Sequence, residues 1–325
     1  MPVASQLGVK DEATWGTAVT VDRFFEYISE GIESDFGRIE SRGLRANERV
    51  IRQDRFAVGG RSFAGAIEME WLTKSMGWWL KHMLGTVTTS AIVDSCYTHT
   101  ATVASLFGDS FTAQVNRPFN PSGTDQAFTY EGGKIASWEI SCEVDGLLGV
   151  TLDADFEDSS TAVGLAAASY TSGMEVMPYT LGTVTIAGAV VSTESFSCKV
   201  DNGLRTDKRH LGAATKREQV ENARRTIEAE LLVDFDSLTQ YNRIGSLVAA
   251  GALASLVATF RGPTLAGTAT YPSLTVTIPQ FRFDGQNPSV GGEEALMQTL
   301  TGVGLTPTGG TSPITLAYVS VDSTP

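Results

Sequence analysis

One short passage occurs twice in this chain, 160 positions apart. Gly43-Leu44-Arg45 returns as Gly203-Leu204-Arg205. With no gap in between, Ile67-Glu68-Met69-Glu70 returns as Ile227-Glu228-Ala229-Glu230. In each copy a basic, loop-like stretch feeds a segment with carboxylates on one face and apolar residues on the other. A duplicated unit of this kind points to a symmetric assembly rather than to an active site.

The 325 residues suffice for two domains of ordinary size. The repeat sets the boundary near residues 158–180, where Asp158-Ser159-Ser160-Thr161 opens a small, polar stretch of linker character. The expected division is residues 1–160 and 161–325. With 42% hydrophobic and 19% charged residues, the composition is that of a soluble globular protein. A formal net charge of −13 argues against tightly bound nucleic acid, which needs Lys and Arg in excess. It is compatible with DNA passing nearby, because an acidic surface keeps phosphate from sticking.

Cys96, Cys142 and Cys198 form an odd set with no short spacing, so neither a disulfide framework nor a zinc pattern is expected. Cys142 and Cys198 fall at apolar strand positions and read as small buried hydrophobes. That usage fits assembly in a reducing compartment. Met1 to Lys10 has no apolar signal core. The most apolar run, Ile244 to Phe260, is short and rich in Gly, Ala and Ser, and Gly251 divides it into a helix end and a strand. No membrane insertion of this chain is expected.

Four segments alternate with a period of two, as strands with one wet and one dry face do. In 66–71, Glu68 and Glu70 oppose Ile67, Met69 and Trp71. In 137–145, Ser137, Glu139, Ser141, Glu143 and Asp145 oppose Trp138, Ile140, Cys142 and Val144. In 150–157, Thr151, Asp153, Asp155 and Glu157 oppose Val150, Leu152, Ala154 and Phe156. In 226–236, Thr226, Glu228, Glu230, Asp234 and Asp236 oppose Ile227, Ala229, Leu231, Val233 and Phe235, and Leu232 is the one break in the polar face.

Each copy continues into an expected helix, Thr73–Leu84 and Ser237–Ala250, stopped by Gly85 and Gly251. Trp78, Trp79 and Met83 in the first, and Ile244, Leu247 and Val248 in the second, cover a sheet's dry face. Further strands follow: Ser110–Pro118 matches Ser255–Pro263, then 135–145 and 150–157 match 274–284 and 295–303. The last of these, 296–303, lacks the acidic face of its counterpart. The fold class is therefore α+β, mainly β: a β-sandwich unit with one flanking helix, built twice.

Two long loops gather much of the positive charge. Residues 43–64 carry Arg45, Arg49, Arg52, Arg55 and Arg61; residues 203–225 carry Arg205, Lys208, Arg209, Lys216, Arg217, Arg224 and Arg225. Loops of this length are functional or are ordered by a partner. Nucleic acid is one conceivable target, and the overall acidity weighs against it.

Chemistry is sparse. His82, His99 and His210 lie in no metal-ligand spacing, and nucleophile elbow, phosphate loop and metalloprotease motif are all missing. Asp153, Asp155, Glu157 and Asp158 invite a calcium reading, but strand alternation explains their spacing and the loop glycine of a calcium site is absent. Paired carboxylates that recur as a uniform face do not make a glycosidase, which needs two in contrasting environments. No enzyme, cofactor or metal is expected. Sheets acidic on one side and apolar on the other suit the wall of a wide, water-filled barrel.

The opening Gly8-Val9-Lys10-Asp11-Glu12-Ala13-Thr14-Trp15-Gly16-Thr17-Ala18 resembles that of tail tube (major tail) proteins from long, flexible-tailed bacteriophages. Phe24-Phe25-Glu26-Tyr27, Ile39-Glu40-Ser41-Arg42-Gly43-Leu44-Arg45 and Gly65-Ala66-Ile67-Glu68 resemble the same family in the same order. The resemblance spans essentially the whole chain. It implies two tandem tail-tube-type β-sandwich or half-barrel domains, each with one helix and one long loop. It implies sheets joined side by side into rings, stacked helically into a virion tail tube assembled in the host cytoplasm. Single-domain members form six-membered rings, so a duplicated chain implies homotrimeric rings of pseudo-sixfold symmetry. Implied partners are the chain itself, tape measure protein and DNA transiently in the lumen, and tail terminator and tail-tip proteins at the ends. On that resemblance Glu68, Glu70, Glu139, Glu143, Glu228 and Glu230 line the lumen, and the basic loops serve assembly. The competing reading is a virion adhesin or carbohydrate-binding β-sandwich, disfavoured because Trp71, Trp138 and Phe235 sit on the apolar side of amphipathic strands.

Overall fold

The computed structural model describes residues 5–93, 95–119, 122–245, 253–264, 270–284, 288 and 296–325. In the first half, strands β1 (Leu7–Asp11), β2 (Arg23–Phe25), β3 (Ser29–Glu30), β4 (Glu33–Glu40) and β5 (Phe56–Glu70) lead to helix α1 (Gly77–Leu84). Then come β6 (Gly85–Ala91), β7 (Tyr97–Val103), β8 (Phe111–Asn116), β9 (Ala127–Glu143), β10 (Gly149–Phe156) and β11 (Asp158–Ser160). The second half opens with β12 (Thr183–Ile186), β13 (Ala189–Val191), β14 (Thr193–Asp201), β15 (Leu204–Arg205), β16 (Val220–Glu221) and β17 (Thr226–Asp234). It continues with α2 (Leu238–Gly245), β18 (Leu253–Arg261), β19 (Ser273–Phe283), β20 (Met297–Gly304) and β21 (Thr315–Ser320).

Hydrogen-bonded neighbours run in the series β3–β5–β10–β9–β14–β17–β20–β19. The order within the first four strands is repeated in the second four: β17 holds the place of β5, β20 that of β10, and β19 that of β9. The two halves therefore meet edge to edge inside one sheet, at the antiparallel pair β9–β14. Among the described residues this series does not close on itself: it starts at β3 and ends at β19, whose far edge is taken by β18.

A second layer backs each four-strand unit. In the first it runs β2–β1–β8–β9–β11, and β9 is long enough to serve both layers. In the second, β13–β12–β18–β19–β21 repeats the arrangement and is extended by β7 and β6. Two apolar inner faces packed together make a sandwich, whose core holds Ile67, Trp138, Leu152, Val200 and Ile227. Register sets these five in one row across five strands.

The first helix starts later than the sequence suggests. Leu72 bridges to Val176, Thr73 N–H donates to the Glu175 carbonyl, and Ser75 adopts φ 68°, so 73–76 form bends and a turn and the helix starts only at Gly77. Gly85 ends α1 as expected, at φ 106°, with its N–H donating to the Lys81 carbonyl. A Cβ there would come within 2.6 Å of the Ala104 carbonyl oxygen, so only glycine fits. Trp79, Leu80 and Met83 are fully buried under the sheet, and Trp138 Nε1 donates to the Met83 carbonyl at 3.0 Å. In α2, Ile244 packs against the core. Leu247, Val248 and Gly251 lie outside the described residues.

The first long loop also contracts. Phe56 to Ala64, expected as loop, belongs to β5 and pairs with β4, so the free segment is 41–55, closed at its base by Ser41 N–H to the Arg55 carbonyl. Gly59, Gly60 and Arg61 interrupt the apolar alternation, which hides this end of the strand from a periodicity argument. Cys142 and Cys198 are buried, and burial, with the Glu139 carboxylate adding to it, pushes the Cys198 thiol up to about 12. Among the described residues, no helix is long and apolar enough to cross a membrane.

Candidate functional site

The open face of the eight-strand series carries the carboxylates. One row runs Ser29, Glu68, Thr151, Glu139, Lys199, Glu228, Val303, Arg282. The next runs Glu70, Gly149, Ser141, Ser197, Glu230, Thr301. Glu143 faces Ser195 one step further along β9. All six carboxylates singled out from the sequence thus lie on one side of one sheet, although they come from both copies. Glu68, Glu143, Glu228 and Glu230 are exposed; Glu70 and Glu139 are half-buried.

Lys199 and Arg282 were not among the expected residues. They bring two positive charges to the middle and the end of this face. The signal for Lys199 was present: Ser195, Ser197, Lys199 and Asp201 alternate with Phe196, Cys198 and Val200. Arg282 is held by Asp284 at 2.6 Å.

The alternation in β10 holds, but Asp155 is not wet. The loop between β14 and β17 lies over that end of the face. Lys216 Nζ forms an ion pair with Asp155, and Gln219 Nε2 donates to Asp155 Oδ2 at 2.9 Å. Asp155 is 4% exposed and Lys216 3%. Burial drives the Asp155 carboxyl upward, against the pull of Lys216, Gln219 and Arg209.

The rest of that loop grips the first unit too. Arg209 Nη2 donates to the Arg61 carbonyl at 2.6 Å and to Ser62 Oγ at 2.8 Å, and Arg61 N–H donates to the Ala214 carbonyl. Glu218 meets buried Lys134 at 2.7 Å, and Arg225 reaches the Leu84 and Ala104 carbonyls. So Arg209, Lys216 and Arg225 are engaged within the chain. Lys208 is half-buried, while Arg205, paired with Asp207 at 2.9 Å, and Arg217 stay exposed.

The corresponding loop of the first copy, 41–55, has no such seat among the described residues. Arg45, Arg49, Arg52 and Arg55 are exposed, with Glu48 and Asp54 as local partners of Arg45, Arg52 and Arg55. Leu44, Val50 and Ile51 are 102%, 84% and 57% exposed, and Phe36 and Val58 on the hairpin below are 65% and 79%. An apolar arm of this extent marks an interaction surface.

Glu157 sits at the rim, beside Glu131, Asp158 and Glu12, with Arg217 opposing them. Burial and these three carboxylates raise it to about 7. Its folded value lies above the ordinary 4.5, so its contribution to stability is full below that value and is lost as pH rises toward 7. Glu157→Gln is expected to raise the melting temperature by about 1–2 °C at pH 8 and hardly at all at pH 4.5. Equal shifts at the two pH values would contradict this origin.

Among the described residues, no three His, Cys, Asp or Glu side chains are grouped to hold a metal. Trp71 and Trp138 are buried, not offered to a ligand on a flat face. What remains is an open-edged tandem β-sandwich with one charged face and one unseated arm, the features of a structural subunit that joins copies of itself. The chain belongs to the phage tail tube proteins: residues 3–304 match the model of that family. No curated protein matches it. Its role is accordingly a structural one, in the tail tube of a virion.

Proposed function

We propose that three chains close into a ring, each supplying two tube units, and that the rings stack helically into a tube conducting DNA during ejection from a long, non-contractile tail. The observation that supports this most is the series β3–β5–β10–β9–β14–β17–β20–β19, in which one unit already joins the next edge to edge. Repeating that junction between chains joins the two ends of the series. Strands spaced about 4.8 Å apart and tilted as in barrels give such a ring a width of roughly 50 Å between backbones.

The carboxylate face is assigned to the inside of this barrel, with Glu68, Glu70, Glu139, Glu143, Glu228 and Glu230 along the lumen. Tape measure protein and then DNA occupy that channel, and terminator and tail-tip proteins bind the two ends. The loop 203–225 clasps the preceding unit within its chain. By the repeat, the arm 41–55 clasps the preceding unit of a neighbouring chain, or the next ring, with Arg45, Arg49, Arg52 and Arg55 toward carboxylates there. Lys208 and Arg217, and Arg205 beside Asp207, stand at the same boundary.

Electron microscopy of concentrated protein tests the reading. Wild-type chain is expected to form tubes; discrete particles alone would sink it. The triple variant Arg45→Glu, Arg49→Glu, Arg205→Glu should remain a folded monomer with tube yield lowered about ten-fold or more, since charge pairs at an interface set register and encounter rate. Normal tubes from that variant would remove the arm from the account.

A further inference from the structure

The junction inside the chain is a template for the junction between chains. Lys199 of β14 faces Glu228 on one side and Glu139 on the other. At the start of the series, Ser29 faces Glu68, the repeat partner of Glu228, so Ser29 holds the place of Lys199. Nothing described pairs with its other side. At the end of the series, Arg282 faces Val303 as Glu139 faces Thr151. The side chain next to Ser29 records the difference: Ile28 is 66% exposed, while its counterpart Cys198, covered by β9, is fully buried.

The receiving edge is not free, however. In the first unit β8 pairs with β9 only as far as Phe111 opposite Gly133, which leaves Ser137 to Glu143 for β14. In the second unit β18 runs further. Beyond a register shift between Ala254 and Leu256, Ala254 lies opposite Phe281 and Leu253 opposite Arg282. Those two residues occupy the seat that Lys199 and its neighbours take in the first unit. One strand edge accepts one partner, so the two arrangements exclude each other.

We propose that β3 of one chain pairs antiparallel with β19 of the next, Ser29 opposite Arg282, and that Leu253–Ala254 must leave that edge for this to happen. The isolated chain thus covers its own acceptor edge with the first residues of β18. Ladder bonds lost by β18 are replaced by ladder bonds to β3, so the exchange is close to even in hydrogen bonds. Burial of Ile28 then favours the joined state. A self-covered edge also protects the unassembled chain from adding strands at random. The inference rests on the tube reading and adds to it a register and a displaced segment.

Two cysteine pairs test it, with wild-type chain, whose own cysteines are buried, treated alike. Directly opposed residues on antiparallel strands have Cβ atoms about 5 Å apart, close to disulfide reach. Leu253→Cys with Arg282→Cys is expected to form an intrachain disulfide in the unassembled protein. Oxidised, this variant should build at least about ten-fold fewer tubes than after reduction, the tenfold matching about 1.4 kcal/mol. Ser29→Cys with Arg282→Cys should give chain-to-chain disulfides in tubes, seen as dimers and trimers on non-reducing gels. The displacement is overturned if the first disulfide fails to form or if its oxidised variant builds tubes as well as the reduced one. The register is overturned if tubes of the second variant yield monomers only. Absence of tubes from wild-type chain, oxidised and reduced, would instead overturn the tube reading itself.

Discussion

Lys216→Met is expected to lower stability by about 3–5 kcal/mol, the largest effect of any single change on the charged residues of the long loops. Lys216 and Asp155 form a buried pair, each almost wholly out of water. Removing the ammonium leaves a carboxylate with only Gln219 and a more distant Arg209 to oppose its burial. The chain then either holds an uncompensated charge or protonates it, and both cost free energy. The sign with pH follows. With Lys216 gone the folded-state value of Asp155 rises further above that of the unfolded chain, so the penalty grows as pH rises. The variant should be least impaired near pH 4 and most impaired at pH 8. Adding Asp155→Leu should recover most of the loss, since a buried pair replaced by apolar groups is often neutral. Urea midpoints for the two variants at both pH values decide the matter. A single-variant loss below about 1 kcal/mol at pH 8 would show that the loop is not held by this pair.

The second large effect concerns passage of the genome. Glu68→Lys, Glu70→Lys, Glu228→Lys and Glu230→Lys together move the chain's formal charge from −13 to −5, two charges for each reversal. The cost to folding should be small, since Glu68, Glu228 and Glu230 are exposed and Glu70 is half-buried. Glu68 gives up one hydrogen bond from Ser29, and Glu228→Lys sets a like charge opposite Lys199. Tubes should therefore still form. If the face lines the channel, DNA should now adhere to it, and triggered release from particles should slow by about ten-fold or more. Release at the wild-type rate from particles of normal appearance would remove these residues from the lumen.

Much of this surface was legible in the sequence because a strand turns successive side chains to opposite faces. Ile67, Trp138 and Ile227 were expected beneath the sheet and are buried there; Glu68, Glu139 and Glu228 were expected opposite them and stand on the other side. The repeat assigned β5 and β17 to equivalent places. Three features escaped. Asp155 obeys the alternation, yet a loop from the other half of the chain covers it, and local period carries no record of such a cover. The pairing of β9 with β14 leaves no mark in either strand, since any open edge accepts any other. The 56–61 end of β5 is broken by two glycines and an arginine, so an extended arm reads as loop. Each miss involves one part of the chain meeting a distant part.

Cryo-electron microscopy of the assembled tube tests the central claim most directly. The account predicts three chains per ring, six units related by pseudo-sixfold symmetry, and the row Glu68, Glu139, Lys199, Glu228 facing the channel. Six chains per ring, or that row on the outer wall, would contradict it.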